Sequence, residues 1–172
     1  MLTHNQLTQK TQLWDLNSGL PSWSQKPALL ASSFALHWLN NPSSCIKEWL
    51  AALMPGGVLA IALPIEGSFH EWHLAADISG VPCTALQLPS QKSILKDLDN
   101  QNIRYQEVHS YTDQASNVTS LLKPLIKVGA QSTTQNSLRV GEWRRLHKAW
   151  PVYSKDNTVT LSWLIQLLIV QR

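Results

Sequence analysis

The chain has 172 residues, enough for one domain with a sizeable core, and its 44% hydrophobic and 15% charged content is that of an ordinary globular protein. A formal charge of +3 is too small to point to nucleic acid, and no stretch approaches the ~18 continuous apolar residues of a membrane span. The N-terminus lacks the basic-then-apolar layout of a signal peptide, so the expectation is a soluble, cytoplasmic protein with neither nucleic acid nor membrane as partner.

Residues 1–10 are polar and give way to a short strand candidate, Thr11 to Trp14, which ends at Asp15-Leu16-Asn17 with Gly19 and Pro21 beyond it. Ala28 to Ala31 is apolar without alternation and runs into Ser32-Ser33, the pattern of a strand covered on both faces as it reaches its carboxyl end. After Phe34 to Trp38, the Asn41-Pro42-Ser43 turn opens a helix whose apolar positions Ile46, Trp49, Leu50 and Leu53 share one face of a 3.6-residue period. Met54-Pro55-Gly56-Gly57 stops that helix, because proline cannot continue it and glycine accepts positive φ, and Val58 to Leu63 follows as a second apolar strand. Strand, helix and parallel strand make a βαβ unit.

Pro64 to Pro89 reads as a mixed insert with a helix over Ser68 to Ala76 and breaks at Gly80, Pro82 and Pro89. Ser90 caps a helix carrying Ile94, Leu95 and Leu98 that ends at Asn100 to Asn102, and Arg104 to Tyr111 alternates as a strand. Asp113 to Val128 predicts a helix with Pro124 as a kink or a start, Gly129 to Ser137 a polar loop, Val140 to Trp150 a basic amphipathic helix, and Thr158 to Val170 a long final strand.

Cys45 and Cys83 lack the C-x-x-C spacing and fit reduced thiols, although the sequence leaves a disulfide open. His70 and His73 stand at i and i+3, a spacing able to hold a metal on one helical face, but the H-E-x-x-H pattern is absent and no Cys or third His is near in sequence, so no metal site is expected. No Ser-His-Asp or Cys-His order suggests a hydrolytic triad.

Leu36-His37-Trp38 after a strand, then a helix ending in Leu-x-Pro-Gly-Gly and another strand, resembles the fourth and fifth strands of class I S-adenosylmethionine-dependent methyltransferases. Glu66-Gly67-Ser68-Phe69-x-Glu71, Leu88-Pro89 before a helix, Leu122-Lys123 leading to Val128-Gly129-Ala130, and Leu146 to Trp150-Pro151 follow in the order seen in the malonyl-acyl carrier protein O-methyltransferases of biotin synthesis, which the chain resembles over nearly its whole length. Trans-aconitate methyltransferases, which act on another small carboxylate, share the Leu-His-Trp feature.

The resemblance implies an α/β fold: the C-terminal part of a Rossmann-like methyltransferase sheet, with helices on both faces and an antiparallel last strand. It implies S-adenosylmethionine as cofactor, with Asp15 and Leu16 at the adenine and Ser32 and Ser33 at the methionine end. Leu36, His37, Trp38 and Lys123 would serve the substrate, and residues 64–89 would form a lid. The substrate would be malonyl-acyl carrier protein, steered by Lys123, Lys127, Arg139, Arg144, Arg145 and Lys148. Methyl transfer to a carboxylate needs alignment and water exclusion rather than acid-base groups, so no catalytic acid or base is expected.

Each of these residues has a plainer reading: Asp15 as a turn cap, Trp38 as core, His37 as a surface histidine, and the basic residues as a solvated helix face. Neither the glycine-rich loop of the family's first strand nor the acidic residue ending its second precedes Asp15, and Met1-Leu2 resembles a pair from the helix after that second strand. The chain is therefore expected to correspond to the C-terminal two-thirds of such a domain. In the family the first strand lies beside the fourth, so Ala28 to Ala31 is expected to form an open edge prone to self-association or partner binding. A non-catalytic remnant or a partner-dependent subunit stands as the alternative function.

Overall fold

The computed structural model describes residues 12–129, 138–152 and 158–172; Thr11 of the first strand candidate and nearly all of the polar loop at 129–137 lie outside these. In chain order the elements are β1 (Leu29–Ser33), α1 (Pro42–Ala52), β2 (Val58–Pro64), α2 (His70–Ser79), α3 (Gln91–Leu95), β3 (Ile103–Ala115), α4 (Val118–Lys127), α5 (Val140–Lys148) and β4 (Val159–Gln171). One four-stranded sheet has the order β1-β2-β4-β3, with β1 and β2 parallel and β4 antiparallel to both of its neighbours.

The βαβ unit forms as its apolar pattern predicts. Asn41 caps α1 by accepting from the Ser44 N–H at 3.1 Å, and Pro42 occupies the first turn, where its missing N–H costs nothing. Ile46 and Trp49, with Leu53 just past the helix, are buried against Leu59, Ile61, Leu63, Leu168 and Val170. Burial of each such side chain stabilises by about 1.5–3 kcal/mol.

The Pro-Gly-Gly turn joins three strand ends. Val58 N–H donates to the Ala28 carbonyl at 2.8 Å, Gly56 N–H to Arg172, and Arg172 N–H to the Gly57 carbonyl. Gly57 has no space for a side chain, because a Cβ there would lie 2.9 Å from the Met54 carbonyl oxygen and 3.2 Å from that of Ala28.

Alternation along β4 divides the core. Leu168 and Val170 face α1 and α3, whereas Val159 and Leu161 face the opposite layer of α2, α4 and α5, where Phe69, Trp72, Leu122 and Leu146 are buried. Helices thus cover both faces, but unequally. On the second face, near β1, the small residues Ala31, Ser33, Ala60 and Ala62 form an open trough beside Leu167 and Ile169. The outer edge of β1 pairs with no strand among the described residues.

Several boundaries differ from expectation. Residues 12–14 are not a strand: with no neighbour to pair with among the described residues, Leu13 is fully exposed, and the first element among the described residues is the 3-10 turn Leu16–Ser18. β3 runs to Ala115 instead of ending at Tyr111, because β4 is 13 residues long and pairs with it as far as Ala115↔Val159. The following helix consequently starts at Val118, with Asn117 as its cap, and Pro124 lies inside it. α2 begins at His70 and continues to Ser79, where Gly80 adopts the left-handed conformation that ends helices. The helix capped by Ser90 closes at Leu95, and a separate 3-10 turn spans Asn100–Asn102.

A candidate active-site cleft at the carboxyl edge of the sheet

β1 ends at Ser33, and the chain reverses through Phe34, a non-glycine residue held at φ 53°. Its N–H donates to the Ala62 carbonyl at 2.8 Å, which extends the pairing with β2 by one residue and fixes the strained conformation. The only other non-glycine residue at positive φ among those described is Phe69, at 62°, where the chain enters α2; its N–H donates to the Ser162 carbonyl at 2.7 Å. Left-handed backbone at a bulky residue costs about 1–3 kcal/mol and concentrates at functional sites. Both residues line one pocket of 230 Å³.

That pocket is aromatic. The Phe34 ring meets His37 and Trp163 edge-on at 6.3 and 6.2 Å, His37 lies 4.8 Å from Trp38, and Phe69 meets Trp163 at 4.7 Å. Leu88 and Val128 complete the wall, and Gly129 brings the end of α4 against Trp38, where a Cβ would lie 3.9 Å from the indole. Burial pushes the His37 imidazole down from its ordinary 6.5 to about 4, so the ring is neutral at pH 7; its Nδ1 is buried without a hydrogen-bond partner.

Beside this pocket, along the outer edge of β1, runs a groove of 440 Å³ walled by Trp14, Leu16, Leu20, Trp23 and Trp49, with Ser32 and Ser33 at its floor. Two buried polar atoms face no partner there: Ser32 Oγ, in a residue 8% exposed, and Trp49 Nε1, in a residue 4% exposed. Both atoms are closed to solvent, so they lie behind the groove's lining and not on the surface that an occupant would touch.

The residues predicted for the site are partly gathered. Ser32, Ser33 and Leu16 share the groove, while His37 and Trp38 share the pocket. Asp15 caps the turn that carries Leu16, its Oδ1 accepting from the Asn17 N–H at 2.9 Å, and Asn17 Oδ1 accepts from Asn40 to hold this segment beside the cleft. Leu36 is fully buried in the α1 core and does not line the pocket. Lys123 lines a different groove, between α4 and α5, whereas Leu125 and Val128 from the same helix reach the aromatic pocket. Phe34, Phe69 and Trp163 are not among the residues the sequence assigns to the site, although Phe34 follows Ser33 directly and Phe69 lies in the Glu66–Glu71 motif and the expected lid.

The insert is tied to β4. Glu71, buried in α2, accepts from both the N–H and the hydroxyl of Ser162 at 2.8 and 2.6 Å, and Ser68 Oγ accepts from the Leu164 N–H at 2.9 Å. Cys83 Sγ lies 3.3 Å from His73 Nδ1, both cysteines are free thiols, and desolvation raises the pKa of each. No helix among the described residues is long and apolar enough to cross a membrane.

A parallel β1–β2 pair, the antiparallel β4 set between β2 and β3, helices on both faces and a cleft at the carboxyl ends define a class I methyltransferase fold. No family model and no curated protein matches the sequence. Among solved structures, a candidate methyltransferase from Bacillus halodurans C-125 superposes with a TM-score of 0.54 at 13% identity, over 90% of this chain and 74% of that one. The YcgJ protein of Bacillus subtilis superposes with a TM-score of 0.53 at 9% identity, over 91% of this chain and 68% of its own.

Proposed function

We propose that this chain carries the methionine-side and acceptor-side parts of an S-adenosylmethionine-dependent methyltransferase site, acting on a small carboxylate. The substrate favoured by the sequence resemblance is the free carboxyl of malonyl-acyl carrier protein, as in biotin synthesis. The observation that carries the reading is the aromatic pocket opening beside the polar-floored groove across Ser32, Ser33 and Phe34.

When bound, S-adenosylmethionine supplies an electrophilic methyl group on a sulfonium. The groove floored by Ser32 and Ser33 would take its polar portion, and the rings of Phe34, Trp38 and Trp163 suit a cation at the pocket mouth. Those same rings exclude water, and a carboxylate stripped of its hydration shell is the stronger nucleophile. Neutral His37 adds no charge that would compete with the sulfonium. Among the described residues the groove lining has no carboxylate to hold a ribose, so binding of the cofactor by these residues is expected to be weak, with a Kd around millimolar. Lys123, Lys127, Arg139, Arg144, Arg145 and Lys148 supply the cationic surface that an acidic carrier protein would meet.

A second reading, a non-catalytic or partner-dependent methyltransferase-like subunit, is favoured by the open trough and the unpaired edge of β1. Transfer of a labelled methyl group to malonyl-acyl carrier protein at saturating cofactor separates the two. Transfer that collapses in Trp38→Ala, at a pocket residue 40% exposed, supports the enzyme; absence of both transfer and calorimetric binding at millimolar S-adenosylmethionine supports the subunit.

A further inference from the structure

A second groove, of 360 Å³, lies between α4 and α5, away from the cleft. Thr119, Leu122, Lys123, Ile126 and Lys127 form one stripe of α4 at i, i+3, i+4, i+7 and i+8, and Trp143 and His147, four residues apart on α5, face it. The floor is Leu122, Ile126 and the Trp143 ring, and among the described residues the only charges in the lining are the two lysines. Such a volume is at the lower end of small-ligand sites, too narrow for a globular partner but sufficient for one slender chain.

Basic residues outnumber acidic ones on the two helices that form the groove. α4 has no acidic residue, and α5 with its cap has Arg139, Arg144, Arg145 and Lys148 against the single acid Glu142, whose carboxylate is engaged by the Arg139 N–H at 2.7 Å. Neither Lys123 nor Lys127 forms an ion pair among the described residues. An apolar floor with two uncompensated ammonium groups on its rim matches a ligand with an apolar tail and an anionic head.

We propose that the α4–α5 groove binds a single-chain anionic amphiphile of the fatty-carboxylate type, its chain along Leu122, Ile126 and Trp143 and its head between Lys123 and Lys127. The site is separate from the aromatic pocket and does not depend on methyl transfer. Because an exposed Lys-carboxylate contact is individually weak, two of them set head-group preference while the apolar floor supplies most of the affinity.

The test uses the full chain labelled with ¹⁵N, in which Trp143→Phe identifies the Trp143 indole N–H signal. Decanoate, below its micelle concentration, is expected to move that signal saturably while the other indole signals stay in place. Decyltrimethylammonium is expected to bind at least about tenfold more weakly, and Lys123→Ala with Lys127→Ala to weaken decanoate by about tenfold. Ile126→Glu, which puts a carboxylate on the apolar floor, is expected to abolish the shift, with unmoved remaining indole signals reporting an intact fold. Equal binding of the cationic and anionic amphiphiles, or decanoate binding untouched by Ile126→Glu, overturns the proposal. So does sedimentation with phosphatidylglycerol vesicles without any response of Trp143 to decanoate, which would make the basic helices a membrane-facing surface.

Discussion

Acidification should weaken this protein through His37. Its imidazole is packed between Phe34 and Trp38 at the mouth of the aromatic pocket, and desolvation alone accounts for the fall of its pKa from 6.5 to about 4. A histidine held neutral in the folded state binds fewer protons there than in the unfolded chain, so its penalty is absent above pH 6.5 and grows as pH falls from 6.5 towards 4. The full fall corresponds to about 3.4 kcal/mol. Because the ring is only partly enclosed, solvent screening reduces this to about 1–2 kcal/mol. In a chain of this length that is a drop in Tm of roughly 2–8 °C. Other groups titrate over the same range, so the informative quantity is the difference between the wild-type chain and His37→Gln, measured by urea unfolding from pH 7.5 to pH 4. Wild type should lose about 1–2 kcal/mol more than the variant over that range. A flat difference, or an imidazole titrating near 6.5 by NMR, would refute the placement of His37 inside the pocket wall.

Two further outcomes follow from the same structure. Glu71→Ala strands the N–H and hydroxyl of Ser162 beneath α2 and should cost about 3–5 kcal/mol, whereas Glu71→Gln, which keeps one acceptor oxygen, should cost clearly less; denaturation midpoints that rank the two variants equally would remove Glu71 as the anchor of the insert. The outer edge of β1, with Leu29 60% exposed, should drive concentration-dependent self-association that Leu29→Lys with Ala31→Lys suppresses; light scattering that shows a monomer in both proteins, with amides along 28–31 protected from exchange, would contradict this.

Much of the sheet is legible in local pattern. The unbroken apolar runs before Ser32 and after Gly57, the amphipathic spacing of Ile46, Trp49 and Leu53, and the Pro-Gly-Gly stop between them specify a βαβ unit, because burial period and backbone freedom are properties of neighbouring residues. That the apolar run of β1 gives way to Ser32 and Ser33 at its carboxyl end was legible for the same reason, and the structure places both serines along a groove there.

The cleft itself was decided by tertiary structure. Trp163 reaches Phe34 across 129 residues of sequence, and Glu71 reaches Ser162 across 91, distances over which composition and periodicity hold no information. Phe34 and Phe69 adopt left-handed backbone because their N–H groups donate to the carbonyls of Ala62 and Ser162, whereas a local rule assigns that conformation to glycine. Leu36 and His37 are adjacent in a single 3-10 turn, yet one is sealed in the α1 core and the other lines the pocket. Lys123 and Leu125 are two residues apart on α4, and the helical turn directs them into separate cavities. Sequence set which segments form the edge of the sheet; the packing of α2, α4 and β4 on the second face set which side chains meet there, since each meeting depends on elements that only the completed sheet brings side by side.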